Sequence, residues 1–189
     1  MINGYKLTDP ASATNQQRDI FAKSENRNGF VPNIVNAFSE SPVLANSMLD
    51  LYAKFGDTSF DSIESHIVLQ TINVLNECLY CVPAHSTMAR KGGVDVSLDE
   101  SLRSNQPIEN PKHEALRKFT THMVEQRGHV NTEEFEDFIN AGYSRQAALD
   151  VVFLITVKTL TNYGNHITGT DLDDAFEPLE WTPSSSLVS

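Results

Sequence analysis

Apolar positions recur along the chain at helical intervals, and capping residues, prolines and glycines divide it into helices with short connections. A first helix is expected from near Pro10 through Ile20 and Phe21, ending before the Asn28-Gly29 turn. Gly29-Phe30-Val31-Pro32-Asn33 reads as an extended or turning link. Ser41-Pro42 offers an N-cap followed by proline at the first helical position, and apolar residues continue that helix to Gly56. Asp61-x-x-Glu64 is a capping box for the next helix, whose Ile63, Ile67, Val68, Ile72, Val74 and Leu79 predict deep burial. His66, Gln70, Asn73 and Glu77 recur on one face of it, a stripe whose ordinary reading is a solvated surface.

Downstream, Ser97-x-x-Glu100 caps a short helix and Asn110-Pro111 opens a longer one that ends at Gly128. Asn131-x-x-Glu134 caps another, closed by Gly142, and Ser144 starts a long apolar helix through Val151, Leu154, Ile155 and Leu160. From Thr170 to Ser189 helix signals are few. That tail is expected to wrap the surface, with Trp181 as an anchor. Sustained strand alternation is absent. The pattern predicts an all-α domain of about eight helices over residues 1–189, with a core at 58–93, a C-terminal helical part at 110–170 and a surface tail at 171–189.

Pro83 sharpens one boundary. In a helix continuous from Ile63 to Lys91 it would lose a hydrogen bond and clash with the carbonyl of Leu79. A break near Leu79–Val82 removes the conflict and puts Pro83 in the first turn of a new helix that ends at Gly92-Gly93. Cys81 then lies at a helix N-terminus, where free amides and the helix dipole favour a thiolate. It is expected to be the more acidic of the two thiols.

Composition narrows the function. The net charge of −11 repels nucleic acid and anionic membranes, and no apolar run approaches the ~20 residues of a membrane-spanning helix. The start, Met-Ile-Asn-Gly-Tyr-Lys, lacks the regions of a signal peptide, so a cytosolic location is expected. In a reducing compartment, two cysteines as Cys78-x-x-Cys81 point to redox or metal chemistry, because a disulfide closing so small a loop stabilises little.

His85 is one helical turn beyond Cys81, so Cys78, Cys81 and His85 are expected to converge. A histidine holds or removes the thiol proton near neutral pH, and the second sulfur resolves an oxidised first one. A zinc site needs a fourth ligand, for which His66 is the candidate. His113, His122, His129 and His166 stand alone and read as structural; His166 closes a long helix, where a site or a subunit interface is also within reach. Tyr80 reads as a hydrogen-bond donor to the site or as packing.

Asn76-x-Cys78-x-Tyr80-Cys81-x-x-x-His85 resembles the signature of the alkyl hydroperoxidase D (AhpD)-like, or carboxymuconolactone decarboxylase-like, family, in its peroxidase-related branch. The similarity extends to Gly29-Phe30-Val31-Pro32-Asn33, to Arg127-Gly128-His129-Val130 and to the segment from Lys158 to Thr170, nearly the whole chain. It implies an all-helical fold and a homo-oligomer (dimer, trimer or hexamer). It further implies reduction of a hydroperoxide by Cys81, resolution of the resulting sulfenic acid by Cys78, proton relay through His85 and re-reduction by a dithiol, such as a lipoyl-bearing protein. No cofactor or metal is implied. The family's relay glutamate, twelve residues before the first cysteine, is here His66, which lacks the negative charge that stabilises an imidazolium. Weak peroxidase activity is therefore expected, with Glu77 as a substitute for the missing carboxylate. The alternatives are a thiol–disulfide oxidoreductase, a metal-binding protein, and a decarboxylase, whose chemistry needs no cysteine pair.

Overall fold

In the computed structural model, which describes residues 5–183, one helix organises the rest. The described residues form nine α-helices: α1 (Asn15–Asn28), α2 (Asn33–Phe38), α3 (Pro42–Tyr52), α4 (Ser62–Leu75), α5 (Cys81–Lys91), α6 (Val96–Arg103), α7 (Pro111–Glu125), α8 (Thr132–Asn140) and α9 (Arg145–Thr168). The central helix is α4, which packs against α5, α6, α7 and α9. One apolar core joins α4, α7, α8 and α9; a second joins α1, α2 and α3 to the Cys78–Ala84 segment and Phe176. The fold is all-α, and no strand occurs among the described residues. No helix among them is long and apolar enough to cross a membrane.

Most expected boundaries hold because they rest on local chemistry. Asp61 and Asn131 each complete a capping box, and Ser41 and Ser144 cap α3 and α9. Four details differ. Asp9 caps only a 3-10 turn at Pro10–Ser12, the chain is extended at Ala13, and a Thr14–Gln17 capping box starts α1 afresh. The cap of α6 is Asp95, not Ser97, because its carboxylate accepts from the amides of Ser97 and Leu98. Leu79 belongs to no helix and is 55% exposed.

The fourth difference is α2, an additional helix where only a link was expected. It has six residues and no side-chain cap of its own. Its first amide, Asn33 N–H, donates instead to the carboxylate of Asp173 at 3.0 Å, from 140 residues away in the chain.

Small size at one position lets α2 meet α9. A Cβ on Gly164 would lie 2.3 Å from Cζ of Phe38, a ring that is 1% exposed. Beyond α9 the described residues run through turns and a 3-10 turn at Glu177–Leu179. Trp181 is buried against Val74 and Val82 and donates its indole N–H to the carbonyl of Arg103 at 2.9 Å. The rest of the tail, residues 184–189, lies outside the described residues.

Candidate active site

The break expected from Pro83 is present. Helix α4 ends at Leu75, and Glu77 takes a left-handed conformation (φ 50°) that turns the chain back on itself. The amides of Glu77 and Cys78 donate to the carbonyls of Val74 and Asn73, the pairing that closes a helix through a left-handed residue. Helix α5 then begins at Cys81, with Pro83 in its first turn. This connection sets both sulfurs side by side, and the amide of Cys81 donates to Sγ of Cys78 at 3.2 Å.

The two thiols are in different surroundings. Cys81 lines a cavity of about 410 Å³, whereas Cys78 lies behind it and is fully buried. Burial pushes the Cys81 thiol up. A hydrogen bond from Cys78, the charge of Lys158 and the amides of Asn162 and Asn165 more than reverse this and hold it at about 6. Asn165 Nδ2 reaches Sγ of Cys81 at 3.4 Å. Burial, together with its hydrogen bond to Cys81, raises Cys78 far above the ordinary thiol range. The pair is a thiolate at Cys81 held by a thiol at Cys78.

His85 also lines the cavity, and its Nε2 lies 3.0 Å from Nζ of Lys158. Burial, then the charges of Lys158 and His66, drive the His85 pKa well below its usual value. The ring is therefore neutral, Nε2 accepts from the ammonium, and Nδ1 carries the proton. Lys158 is 0% exposed and forms no ion pair with a carboxylate among the described residues. Burial would lower its pKa, but the charge of Cys81, followed by those of Tyr52 and Cys78, raises it. Its counter-ion is the thiolate.

Sequence reasoning gave no role to Lys158, Asn162 or Asn165, yet their signal was present. Val151, Leu154, Lys158, Thr161, Asn162 and Asn165 all lie on the buried stripe of α9. A lysine on such a stripe is almost never left without a partner. Tyr52 is a further neighbour that spacing does not reveal; it lines the cavity, and burial raises its phenol above the ordinary range.

His66 is close enough to influence His85 through its charge, but its hydrogen bond goes to Asp99, from Nε2 to Oδ1 at 3.0 Å. Asp99 is completely buried and also accepts from Ser86 Oγ at 2.9 Å and Arg90 Nε at 2.7 Å. The polar stripe on α4 is thus not solvated, because α5 and α9 cover it. Gln70 donates to the carbonyl of Val82 and to Ser86 Oγ, Asn73 donates to Gln70, and Asn162 joins Asn73 to Asn76. These bonds form a continuous buried network under the thiol loop that satisfies groups no water reaches.

Glu77 is half-buried, hydrogen-bonds neither thiol nor His85, and does not line the cavity. The Tyr80 hydroxyl donates to Asp173 at 2.5 Å rather than to a sulfur, and its ring meets Phe176 edge-on. His166 is exposed and stacks on Tyr163 outside the site. No group of three His, Cys, Asp or Glu among the described residues is arranged to hold a metal, and His66 turns to Asp99 rather than to the thiols.

No family model matches the chain, and no curated protein matches it. Solved structures do. An uncharacterised peroxidase-related protein from Silicibacter sp. TM1040 superposes with a TM-score of 0.77 at 18% identity, over 93% of each chain. A peroxidase-related protein with an alkylhydroperoxidase AhpD core, from Ralstonia eutropha JMP134, gives 0.80 at 21% identity, over 93% of this chain and 95% of that one. The debrominase Bmp8 gives 0.73 at 19% identity, again over 93% and 95%. A Cys-to-Ala variant of that debrominase is known in complex with 2,3,4-tribromopyrrole. The likeness extends along the whole described helical array, and this chain has the helical fold of the AhpD core and the peroxidase-related proteins.

Proposed function

We propose that the protein is a thiol peroxidase that reduces an organic hydroperoxide through a dithiol–disulfide cycle of Cys81 and Cys78. The observation that carries this reading is the asymmetry of the pair: the sulfur held as a thiolate is the one that lines the cavity, and the protonated sulfur waits directly behind it. The Cys81 thiolate attacks the terminal peroxide oxygen, the O–O bond breaks, and Cys81 becomes a sulfenic acid. The departing alkoxide takes a proton and leaves as an alcohol. That proton comes from His85 Nδ1 as Nε2 takes one from Lys158, 3.0 Å away. Cys78 then attacks the Cys81 sulfur, forming the disulfide and releasing water. A dithiol reductant, such as a lipoyl-bearing protein, restores both thiols by exchange, a cycle suited to the cytosol.

In this scheme the proton store beside the thiolate is Lys158. When Cys81 loses its charge, the buried ammonium loses its counter-ion and gives up a proton readily. Asn165 Oδ1, buried without a partner, accepts the O–H of the sulfenic acid. The exposed residues Leu149, Val152, Tyr163 and Ile167 lie along α9 and favour the expected self-association.

A second reading follows from the debrominase neighbour: the same thiolate attacks a different electrophile, a halogenated ring, with Cys78 again the resolving thiol. The deciding experiment is thiol counting. One equivalent of hydroperoxide should consume both thiols and yield one equivalent of alcohol, and Cys81→Ser should abolish the reaction. If the thiols survive peroxide but are consumed by a bromopyrrole, the second reading replaces the first.

A further inference from the structure

The cavity above Cys81 has a charge pattern opposite to that of the protein. The chain carries 25 acidic and 14 basic residues. Yet the cavity lining contains no carboxylate, and apart from the Cys81 thiolate, which faces its own cation Lys158, its charged residues are Arg27 and Lys91. Both are exposed, so they stand at the opening, and neither is in an ion pair with a carboxylate among the described residues. Arg27 donates to the carbonyls of Leu49 and Tyr52, which hold its guanidinium in place and leave other N–H donors unused. Inside, the walls are apolar, with Phe30, Ile34, Leu49, Phe55 and Phe176 among them. Asn28, Tyr52, Tyr80 and His85 add polar edges to this lining.

From these features we infer that the site takes an amphipathic organic acid: an apolar, ring-sized body in the cavity and a carboxylate at Arg27 and Lys91. An apolar cavity with a few fixed polar groups binds by its walls and discriminates by its polar atoms. Two cations at the opening of an otherwise acidic protein draw in an anion that the rest of the surface repels. Hydrogen peroxide fills neither the walls nor the anion position. The proposed peroxidase chemistry determines what happens to such an acid when it carries a hydroperoxide; its binding does not depend on that chemistry.

The test therefore separates binding from turnover. Calorimetric titration of the full chain compares 2-naphthoate with its neutral isostere 2-naphthamide. The acid should bind about tenfold more tightly, as for a charge-assisted hydrogen bond at a partly exposed site. Raising the salt should narrow this gap. Lys91→Met should reduce the gap, and Lys91→Met with Arg27→Met should remove it, while amide affinity stays unchanged. Because Arg27 also holds the end of α3, the single Lys91→Met variant keeps the test independent of folding.

Equal affinity for acid and amide overturns the inference, as does a gap that survives both cation substitutions. In turnover, the carboxylated derivative of cumene hydroperoxide should exceed cumene hydroperoxide in kcat/KM by a factor that disappears in the double variant. Binding preference without turnover of either peroxide leaves the acid site standing and refutes the peroxidase reading. Turnover without preference does the reverse.

Discussion

Replacing Lys158 by methionine removes the cation from beside the Cys81 thiolate while keeping a long side chain in the same buried space. An opposite charge within about 4–6 Å lowers an acid's pKa by roughly 1–3 units. Cys81, held at about 6 by Lys158 and its hydrogen-bond donors, should therefore rise to between ~7 and ~9 in the variant. At pH 7 the thiolate fraction falls from ~90% to between ~50% and ~1%. Alkylation by iodoacetamide, followed from pH 4.5 to 10 with thiolate absorbance as a second readout, gives both midpoints directly. In the native protein reactivity should rise through about pH 6 and then level off; in Lys158→Met the curve should move to higher pH. Stability is the control. Methionine removes one partner of a buried ion pair, so the melting temperature should fall, though the variant stays folded because Cys81 relieves its unpaired charge by taking up a proton. An unmoved alkylation midpoint in a folded variant would show that the amides and helix N-terminus alone make the thiolate, and Lys158 would lose its place in the mechanism.

Asp99→Asn should cost about 3–5 kcal/mol at pH 7, because His66 and Arg90 lose a buried anionic partner. Burial alone would raise the Asp99 carboxyl, but hydrogen bonds from His66, Arg90 and Ser86 hold it below the ordinary carboxylate range. Its stabilisation is therefore complete above the unfolded value near 4 and lost as pH falls through the folded value. Urea midpoints of native and variant protein should converge in acid; a constant difference down to pH 3 would contradict the assignment. Gly164→Ala should destabilise by about 1–3 kcal/mol, since its Cβ meets the buried Phe38 ring, and a denaturant midpoint equal to the native one would refute that contact. Asp173→Ala should cost about 1–3 kcal/mol in the same assay by leaving the Asn33 amide and the Tyr80 hydroxyl unpaired. Cys78→Ser should allow one turnover and then accumulate a Cys81 sulfenic acid that dimedone traps; continued cycling would exclude Cys78 as the resolving thiol.

Local chemistry made much of this protein legible. Capping boxes at Asp61 and Asn131 and the N-cap serines at 41 and 144 located helix starts because the donors and acceptors lie within three residues of each other. Pro83 located the break before α5 because a proline's clash involves only its own preceding turn. The same argument placed Cys81 at a helix N-terminus, next to Cys78 and one turn before His85. The Trp181 anchor of the tail also followed from the sequence, since a large aromatic residue in a polar segment has few other uses.

What remained hidden depended on partners far away in the chain. Helix α2 is started by Asp173, and the stripe His66, Gln70 and Asn73 is buried because α5 and α9 cover it. Helical periodicity assigns residues to a face but does not say what covers that face. Lys158 is the clearest case. It lies on the buried stripe of α9, where a charge is costly, and the sequence reading gave it no role; only the packing of α9 on the thiol loop supplies the thiolate that justifies it. Thus the sequence alone determined the helices other than α2, the cysteine pair and which sulfur begins a helix. Tertiary structure decided which charge stands beside that sulfur, and that His66 belongs to Asp99, because electrostatic partners are chosen by distance in space and not by spacing in the chain.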